Sequence, residues 1–99
     1  MTNTSSLPLA SVIMAVRNGE RFLDQAIQSV LAQDYRPIEI IVVDGQSTDA
    51  TAQIARKYPE VRYIYQETLG VANAYNLGIR AARGEFISFL SHDDLWLPA

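Results

Sequence analysis

The segment Ile38–Asp44, with the sequence Ile-Glu-Ile-Ile-Val-Val-Asp, constrains the fold more than any other part of the chain. Five of its seven residues are β-branched, and such residues favour strands because a branched Cβ restricts χ1 and packs well on a pleated surface. A strand that is apolar on both faces needs helices on both sides, which is typical of the centre of a parallel sheet. The segment therefore predicts an α/β fold in which this strand is central.

Three further apolar strands and three helical stretches alternate with this central strand. The predicted strands are residues 9–16, 38–44, 61–65 and 86–90, and the predicted helices begin near residues 20, 50 and 70. Arg62 interrupts the third strand, which favours an edge position. Ser47 is expected to cap the second helix, and Gly84 is expected to end the third. This βαβαβαβ order predicts a parallel sheet of about four strands with helices on both faces.

Apolar residues at helical spacing predict which side chains of the helices face the sheet. In the first helix these are Phe22, Leu23, Ala26, Ile27, Val30 and Leu31. In the third helix they are Val71, Ala74, Tyr75, Leu77, Gly78, Ile79 and Ala82.

Composition limits both the size of the protein and its classes of partner. With 99 residues, of which 48% are hydrophobic and 19% charged, the chain is predicted to form one domain at residues 8–99 behind a flexible N-terminus at residues 1–7. A formal charge of -3 and a sequence pI near 4.9 argue against binding to nucleic acid or anionic lipid. The chain has no cysteine, which excludes disulfides and thiolate zinc sites, and it has no apolar run long enough for a membrane span.

Polar side chains follow three of the predicted strands at the points where those strands end. They are Arg17 and Asn18 after the first strand, Asp44 with residues 47–49 after the second, and Ser91, His92, Asp93 and Asp94 after the fourth. The carboxyl ends of parallel strands meet at one edge, where open α/β sheets bind ligands. The sequence therefore predicts an acidic cleft at this edge, in which Mg²⁺ or Mn²⁺ would bridge the carboxylates to a phosphate. Adjacent aspartates after a strand are also ordinary turn and N-cap residues, so this alternative stays open.

Other common phosphate and signalling sites are missing from the sequence. No G-x-G-x-x-G follows the first strand, and no G-x-x-x-x-G-K-S/T loop occurs. A receiver-type signalling module also gathers carboxylates at strand ends. It needs an acidic pair after the first strand and a late lysine, whereas this strand ends in Arg17-Asn18 and no lysine follows Lys57. The receiver interpretation therefore fits poorly.

Four motifs resemble, in order and spacing, the N-terminal half of the inverting family-two glycosyltransferases. They are residues 8–19, residues 41–51, Gly70 to Gly78, and Gly84-Glu85-Phe86-Ile87 through His92-Asp93-Asp94 and Pro98. The resemblance covers essentially the whole chain. It implies a Rossmann-like GT-A fold that binds a nucleotide-sugar donor and a divalent cation, Mg²⁺ or Mn²⁺.

The resemblance also implies roles for individual residues. Those on the donor nucleotide would be Ala15, Val16, Arg17 and Asn18 around the base, Asp44 at the base or ribose, and Ser47 and Asn76 nearby. Asp93 would be the metal ligand, and Ser91, His92 and Asp94 would support it from behind or lie near the donor. The metal would act as a Lewis acid on the leaving diphosphate.

The chain departs from the family pattern at four positions. Arg17 stands where an aromatic residue usually stacks on the base, so its guanidinium would have to stack instead. Gly45 replaces an aspartate that binds uracil in relatives, which leaves the base open. Ser91 replaces the first aspartate of the D-x-D motif, and Tyr75 stands where an arginine is common. Asp93 is therefore expected to be the main ligand.

The reaction implied by the resemblance is metal-dependent transfer of a sugar to an acceptor hydroxyl with inversion. The general base lies well after the acidic motif in this family, so we expect donor and metal binding from this chain and catalysis only with downstream sequence. Implied acceptors are carbohydrates or lipid-linked molecules of polysaccharide or envelope synthesis. We expect a cytoplasmic location, including the cytoplasmic face of a membrane. A non-catalytic module that self-associates through a free strand edge and Leu95-Trp96-Leu97 is the alternative.

Overall fold

Four parallel strands and three helices alternate along residues 8–91, the part of the chain that the computed structural model describes. The elements are β1 (Ala10–Val16), α1 (Leu23–Leu31), β2 (Ile38–Asp44), α2 (Thr51–Arg56), β3 (Val61–Tyr65), α3 (Val71–Ala81) and β4 (Phe86–Ser91). This confirms the predicted α/β class and the order of the elements. The predicted flexible segment 1–7 and the acidic pair Asp93-Asp94 lie outside the described residues.

The strand order is β3-β2-β1-β4, and every pairing is parallel. The predicted central place of β2 is confirmed, because it lies between β1 and β3. The predicted edge position of β3 is confirmed as well. β4 forms the other edge of the described sheet, and Phe86, Ile87 and Phe89 on this strand are exposed.

Two apolar cores lie on opposite faces of the sheet. The core under α1 and α2 contains Val12, Met14, Val16, Leu23, Ala26, Ile27, Val30, Ile40, Val42, Ala55 and Leu90. The core under α3 is smaller and contains Ile13, Ile41, Val43 and Ala74. Successive residues of β1 and β2 therefore point alternately to the two cores, which explains why both strands are apolar on both faces over most of their length.

The contact of α3 with β1 is close enough to require a glycine. A Cβ placed on Gly78 would lie 2.4 Å from Cγ2 of Ile13, well inside van der Waals distance. At the start of the next strand, a Cβ on Gly84 would lie 2.5 Å from the carbonyl oxygen of Leu9. These two glycines let α3 and β4 approach β1.

Several local predictions about the helices are wrong. α2 begins at Thr51, and Ser47 does not cap it. The Ser47 hydroxyl instead accepts a hydrogen bond from the N–H of Asn18, in the loop after β1. α3 ends at the extended residue Ala82, so Gly84 is a packing residue and not the C-cap. Three side chains expected to face the sheet are exposed instead: Phe22 (42%), which precedes α1, Val71 (70%), the first residue of α3, and Ile79 (43%) within α3.

A polar cluster ties α3 and β4 to the amino ends of the central strands. Oε2 of Glu39 accepts hydrogen bonds from the Ser11 hydroxyl at 2.6 Å and from the Arg83 N–H at 2.7 Å. Oε1 of Glu39 accepts a bond from Arg62 at 3.4 Å, and Arg62 also donates to the carbonyl of Ala81. Burial raises the pKa of Glu39, but these hydrogen bonds and the charge of Arg62 outweigh it and hold that pKa below its ordinary value.

None of the helices within residues 8–91 has the length and apolar character that crossing a bilayer requires.

We expect Gly78→Ala to destabilise the protein by about 1 to 3 kcal/mol, because the new methyl group would overlap Ile13. Helix propensity alone would favour alanine over glycine by about 1 kcal/mol. The sign of the measured change in stability therefore separates overlap with Ile13 from helix propensity. Asn76→Ala, an exposed substitution on the same helix, is the matched control and should be neutral or slightly stabilising. Urea unfolding measures both variants, and a Gly78→Ala variant as stable as wild type would contradict the close contact.

We expect Glu39→Gln to be less stable than wild type by about 1 to 3 kcal/mol at pH 7, because it loses charged hydrogen bonds. A lowered pKa in the folded state stabilises the fold above the ordinary pKa of 4.5, and this contribution is lost as the pH falls through the folded value. The stability gap between the two proteins should therefore narrow in acid. Urea unfolding from pH 7 down through the pKa of Glu39 tests this narrowing, with the exposed Glu85→Gln variant as control. A stability difference that does not change with pH would contradict the proposed stabilising role of the Glu39 carboxylate.

Candidate functional site

The strand order creates a crevice at the carboxyl edge of the sheet. After β1 the chain runs outward through β2 to β3, and then returns to place β4 on the other side of β1. Val16 is paired with Asp44, and Asp44 with Tyr65, so these strand ends lie at one level. Open α/β sheets bind ligands where the order reverses in this way. The predicted gathering of strand ends at one edge is confirmed for the described residues.

A cleft of about 230 Å³ opens at the end of β1. Its lining residues are Ala15, Val16, Arg17, Gly45, Gln66, Leu69, Gly70, Val71 and Ala74. Three of the predicted donor residues, Ala15, Val16 and Arg17, are therefore brought together at one cavity. The walls are largely apolar, and Arg17 is exposed at the edge of the cleft. Apolar walls with a few polar groups are typical of small-molecule sites.

Asp44 ends β2, directly before the cleft residue Gly45, and is 1% exposed. Its Oδ1 accepts a hydrogen bond from the Ser47 N–H at 2.9 Å, and its Oδ2 accepts one from the Tyr63 hydroxyl at 2.5 Å. Burial, followed by the bond and charge of Asp44, raises the pKa of Tyr63 to about 12. Asp44 thus fixes the turn after β2 in this structure, and its predicted contact with a base or ribose stays a prediction.

Gln66 follows β3 and was missed in the sequence analysis. Its N–H donates to the carbonyl of Asp44 at 2.8 Å, and Nε2 donates to the carbonyls of Thr68 and Gly70, each at 2.9 Å. The side chain is 3% exposed and yet lines the cleft. The sequence does not reveal this role, because one polar residue after an edge strand forms no recognisable pattern. The groups that bond its side chain belong to the loop before α3.

Asn18 and Ser47 join the loops after β1 and β2. The Asn18 N–H donates to the Ser47 hydroxyl at 2.7 Å, and the Thr48 N–H donates to Oδ1 of Asn18 at 2.8 Å. Asn18 has a φ of +52°, a left-handed conformation that asparagine adopts more readily than most residues. Asn18 and Ser47, both predicted to contact the donor nucleotide, therefore lie at the carboxyl edge of the sheet, although neither lines the cleft itself.

Further bonds between the same loops strengthen this connection. The Gly19 N–H donates to the buried Thr51 hydroxyl at 2.9 Å, and the Glu20 N–H donates to Asp49 at 3.2 Å. In return, the Ala50 N–H donates to the carboxylate of Glu20 at 3.0 Å. Partial burial raises the pKa of Asp49, but its bonds from Thr51 and Glu20 outweigh this and hold that pKa below its ordinary value. The two loops are therefore bonded to each other at several points along their length.

Asn76 lies away from this cleft, on the exposed side of α3. It lines a separate pocket of about 270 Å³ with Tyr65, Glu67, Thr68, Asn73, Leu77 and Arg80. The structure therefore does not bring Asn76 together with Ala15, Val16 and Arg17. Its expected place near the donor nucleotide stays a prediction.

The predicted metal site is described only up to the strand that leads to it. β4 ends at Ser91, which is paired with Ala15 and so lies at the same edge as the cleft. His92, Asp93 and Asp94 fall outside the described residues. Within residues 8–91, no three or more His, Cys, Asp or Glu side chains come together to hold a metal ion.

The model of "Glycosyl transferase family 2" matches residues 11–99 of this chain. An uncharacterized glycosyltransferase of Rickettsia typhi is 48% identical over 97 residues, which is 97% of this chain and 30% of that relative. An uncharacterized glycosyltransferase of Bacillus subtilis, EpsJ, is 39% identical over 92 residues, which is 89% of this chain and 27% of the relative. The chain thus spans less than a third of the length of either relative.

Solved glycosyltransferases share the fold. Residues 1–349 of TarS of S. aureus, whose structures include complexes with UDP and with UDP-GlcNAc, are 33% identical with a TM-score of 0.81, over 87% of this chain and 28% of that TarS chain. The mannosyltransferase PcManGT of Pyrobaculum calidifontis, solved with GDP-Man and Mn²⁺, is 28% identical with a TM-score of 0.83, over 95% of this chain and 30% of that protein. The predicted Rossmann-like GT-A fold is thereby confirmed.

We expect Tyr63→Phe to cost about 1 to 3 kcal/mol at pH 7, because Oδ2 of the buried Asp44 loses its hydrogen-bond donor. Tyr65→Phe, on the same strand but 54% exposed, is the matched control and should change stability by less than about 0.5 kcal/mol. A pKa raised in the folded state stabilises the fold below the ordinary value of 10.0, and this is lost as the pH rises towards about 12. Urea unfolding should show that the stability difference between wild type and Tyr63→Phe decreases as the pH rises from 10.0 towards about 12.

Proposed function

Because the chain belongs to glycosyl transferase family 2, we propose that it forms the donor-binding part of a metal-dependent glycosyltransferase that inverts the anomeric centre. The nucleotide of the donor would lie over the end of β1, with its diphosphate directed towards the segment after β4. The sugar would pass to the hydroxyl of a carbohydrate or lipid-linked acceptor. Acceptor recognition and the general base would come from sequence that the relatives carry beyond the matched segment.

The cleft at the end of β1 is the observation that carries this proposal. It lies at the position where the strand order reverses, and apolar groups from Ala15, Val16 and Val71 contribute to its walls. A nucleobase is a flat, largely apolar ring with polar edges, so such a cleft would accept its face while the edge meets polar groups. The bonded loops after β1 and β2 would hold this cleft in shape before the donor arrives, which lowers the entropy cost of binding.

Arg17 is the residue expected to cover the base. It is exposed at the cleft, and none of the hydrogen bonds or ion pairs found in residues 8–91 uses its guanidinium. A planar guanidinium stacks on aromatic rings and carries a permanent positive charge. Arg17 would therefore hold the base by stacking and also attract the donor phosphates. Asp44 would support the same site by fixing the turn at Ser47, and its spare lone pairs could accept a ribose hydroxyl.

The residues after β4 fit a hard divalent cation by their chemistry. β4 is parallel to β1 and ends at the level of Ala15, and Asp93 follows its last residue by two positions. Magnesium and manganese commonly take one or two carboxylates, with the remaining ligands from phosphate oxygens and water. A cation bound there would offset the charge that grows on the leaving diphosphate. Asp93 would be its protein ligand, with Ser91, His92 and Asp94 beside it.

We expect nucleoside diphosphate binding to require both Mn²⁺ and Asp93. Calorimetric titration of the chain with UDP, GDP, dTDP and CDP in Mn²⁺ should identify at least one ligand. Asp93→Ala should weaken binding of that ligand by roughly tenfold or more, because the cation that bridges the diphosphate to the protein would lose its carboxylate ligand. Asp34→Ala, in the exposed turn after α1, is the matched control and should bind like wild type.

Three results would contradict the proposal. Equal affinity with Mn²⁺ and with a chelator would exclude the metal bridge, and absence of binding by every nucleotide would exclude the donor site. Sugar transfer by these 99 residues alone would show that downstream sequence is not needed. Sedimentation with and without nucleotide would test the alternative, self-association through the exposed β4 edge.

A further inference from the structure

The amide of Gln66 is held in one orientation inside the donor cleft. Both hydrogens of Nε2 are used, one by the carbonyl of Thr68 and one by the carbonyl of Gly70. These two bonds define which end of the amide is nitrogen, because an oxygen facing two carbonyls would be repelled. The backbone N–H of Gln66 is bonded to Asp44, so the residue is fixed at both its main chain and its side chain.

Oε1 of Gln66 is therefore left as an acceptor. No hydrogen bond within residues 8–91 ends on this atom, although the side chain is 3% exposed. The described residues contain no fully buried side-chain polar atom that lacks a partner, so Oε1 must face the cleft that Gln66 lines. A carbonyl oxygen in such a place is expected to find a donor, because an unpaired acceptor shielded from water is costly.

Gly45 keeps the space in front of this oxygen open. A Cβ added to Gly45 would lie 3.4 Å from Oε1 of Gln66 and 3.7 Å from Cβ of Arg17. A larger side chain at this position would occupy the volume between the fixed acceptor and Arg17. The absence of a side chain therefore leaves the space beside Oε1 open to the edge of a flat ring whose face stacks on Arg17.

We propose that Gln66 reads the base of the donor by accepting a hydrogen bond from a ring N–H, which is N3–H in uracil or thymine and N1–H in guanine. The neutral ring nitrogens of cytosine (N3) and adenine (N1) on the same edge carry a lone pair instead. That lone pair would face Oε1 with no donor to pair it, because both N–H groups of Gln66 are already used. The inference rests on the proposed function, since it assigns the base specificity of the same cleft.

Binding by nucleotides with and without the ring N–H tests this inference on the unmodified chain. In Mn²⁺, UDP, dTDP or GDP should bind about tenfold more tightly than CDP and ADP, which corresponds to one net hydrogen bond. The ring-methylated form of the best ligand, N3-methyl-UDP, N3-methyl-dTDP or N1-methyl-GDP, should lose about tenfold or more. This measurement requires no substitution and so does not depend on a variant that folds.

A variant then assigns the effect to Gln66. Gln66→Met is close in size and lacks the acceptor, although it also lacks the two N–H donors to Thr68 and Gly70. It should therefore weaken binding of the best ligand about tenfold more than binding of the methylated form. Thermal unfolding and circular dichroism check that the variant retains the fold. A purely structural role for Gln66 would weaken both nucleotides equally.

The outcomes separate the two proposals. Equal binding of the parent and methylated nucleotides to the unmodified chain would overturn the role of Gln66 while leaving donor binding intact. An equal loss for both nucleotides in a folded Gln66→Met variant would overturn it as well. If no nucleoside diphosphate binds, the proposed function fails and the base-reading role fails with it.

Discussion

The pairing of β1 with both β2 and β4 is the constraint on which the rest of the structure depends. It places the ends of three strands at one edge and produces the reversal of order that opens a crevice. The pairing in turn depends on packing, because α3 reaches β1 only where Gly78 has no side chain. The close packing of Gly78 against Ile13 in the core and the position of the site therefore depend on the same strand, β1.

The loops at the carboxyl edge act as a preformed wall. Asn18 and Ser47 were predicted as donor residues, and the structure uses their polar groups to bond one loop to the other. Such bonds do not exclude a ligand role, because a rigid wall presents its remaining groups in fixed positions. Asp44 shows the same combination, since one oxygen of its carboxylate holds the turn at Ser47 and the other accepts a hydrogen bond from Tyr63.

The fold was largely predictable because its signals are local and repeated. The β-branched run of β2 and the alternation of strands with amphipathic helices were sufficient for the class, the order and the central strand. The helix ends were predicted less well, since capping depends on competing partners. Ser47 has the chemistry of a cap but is used by Asn18, and Gly84 has the chemistry of a C-cap but is needed for its approach to Leu9.

The sequence by itself determined the fold class, the resemblance to the family and the edge of the sheet where Arg17 and Asp44 lie, because strand periodicity and motif order can be recognised along the chain. Only the tertiary structure decided which of these side chains line the cleft. It separated Asn76 from Arg17 and brought in Gln66, which carries no recognisable pattern. The reason is that a side chain's direction and remaining hydrogen-bonding capacity depend on residues distant in sequence, here Asp44, Thr68 and Gly70, whose positions are fixed only when the sheet and α3 pack together.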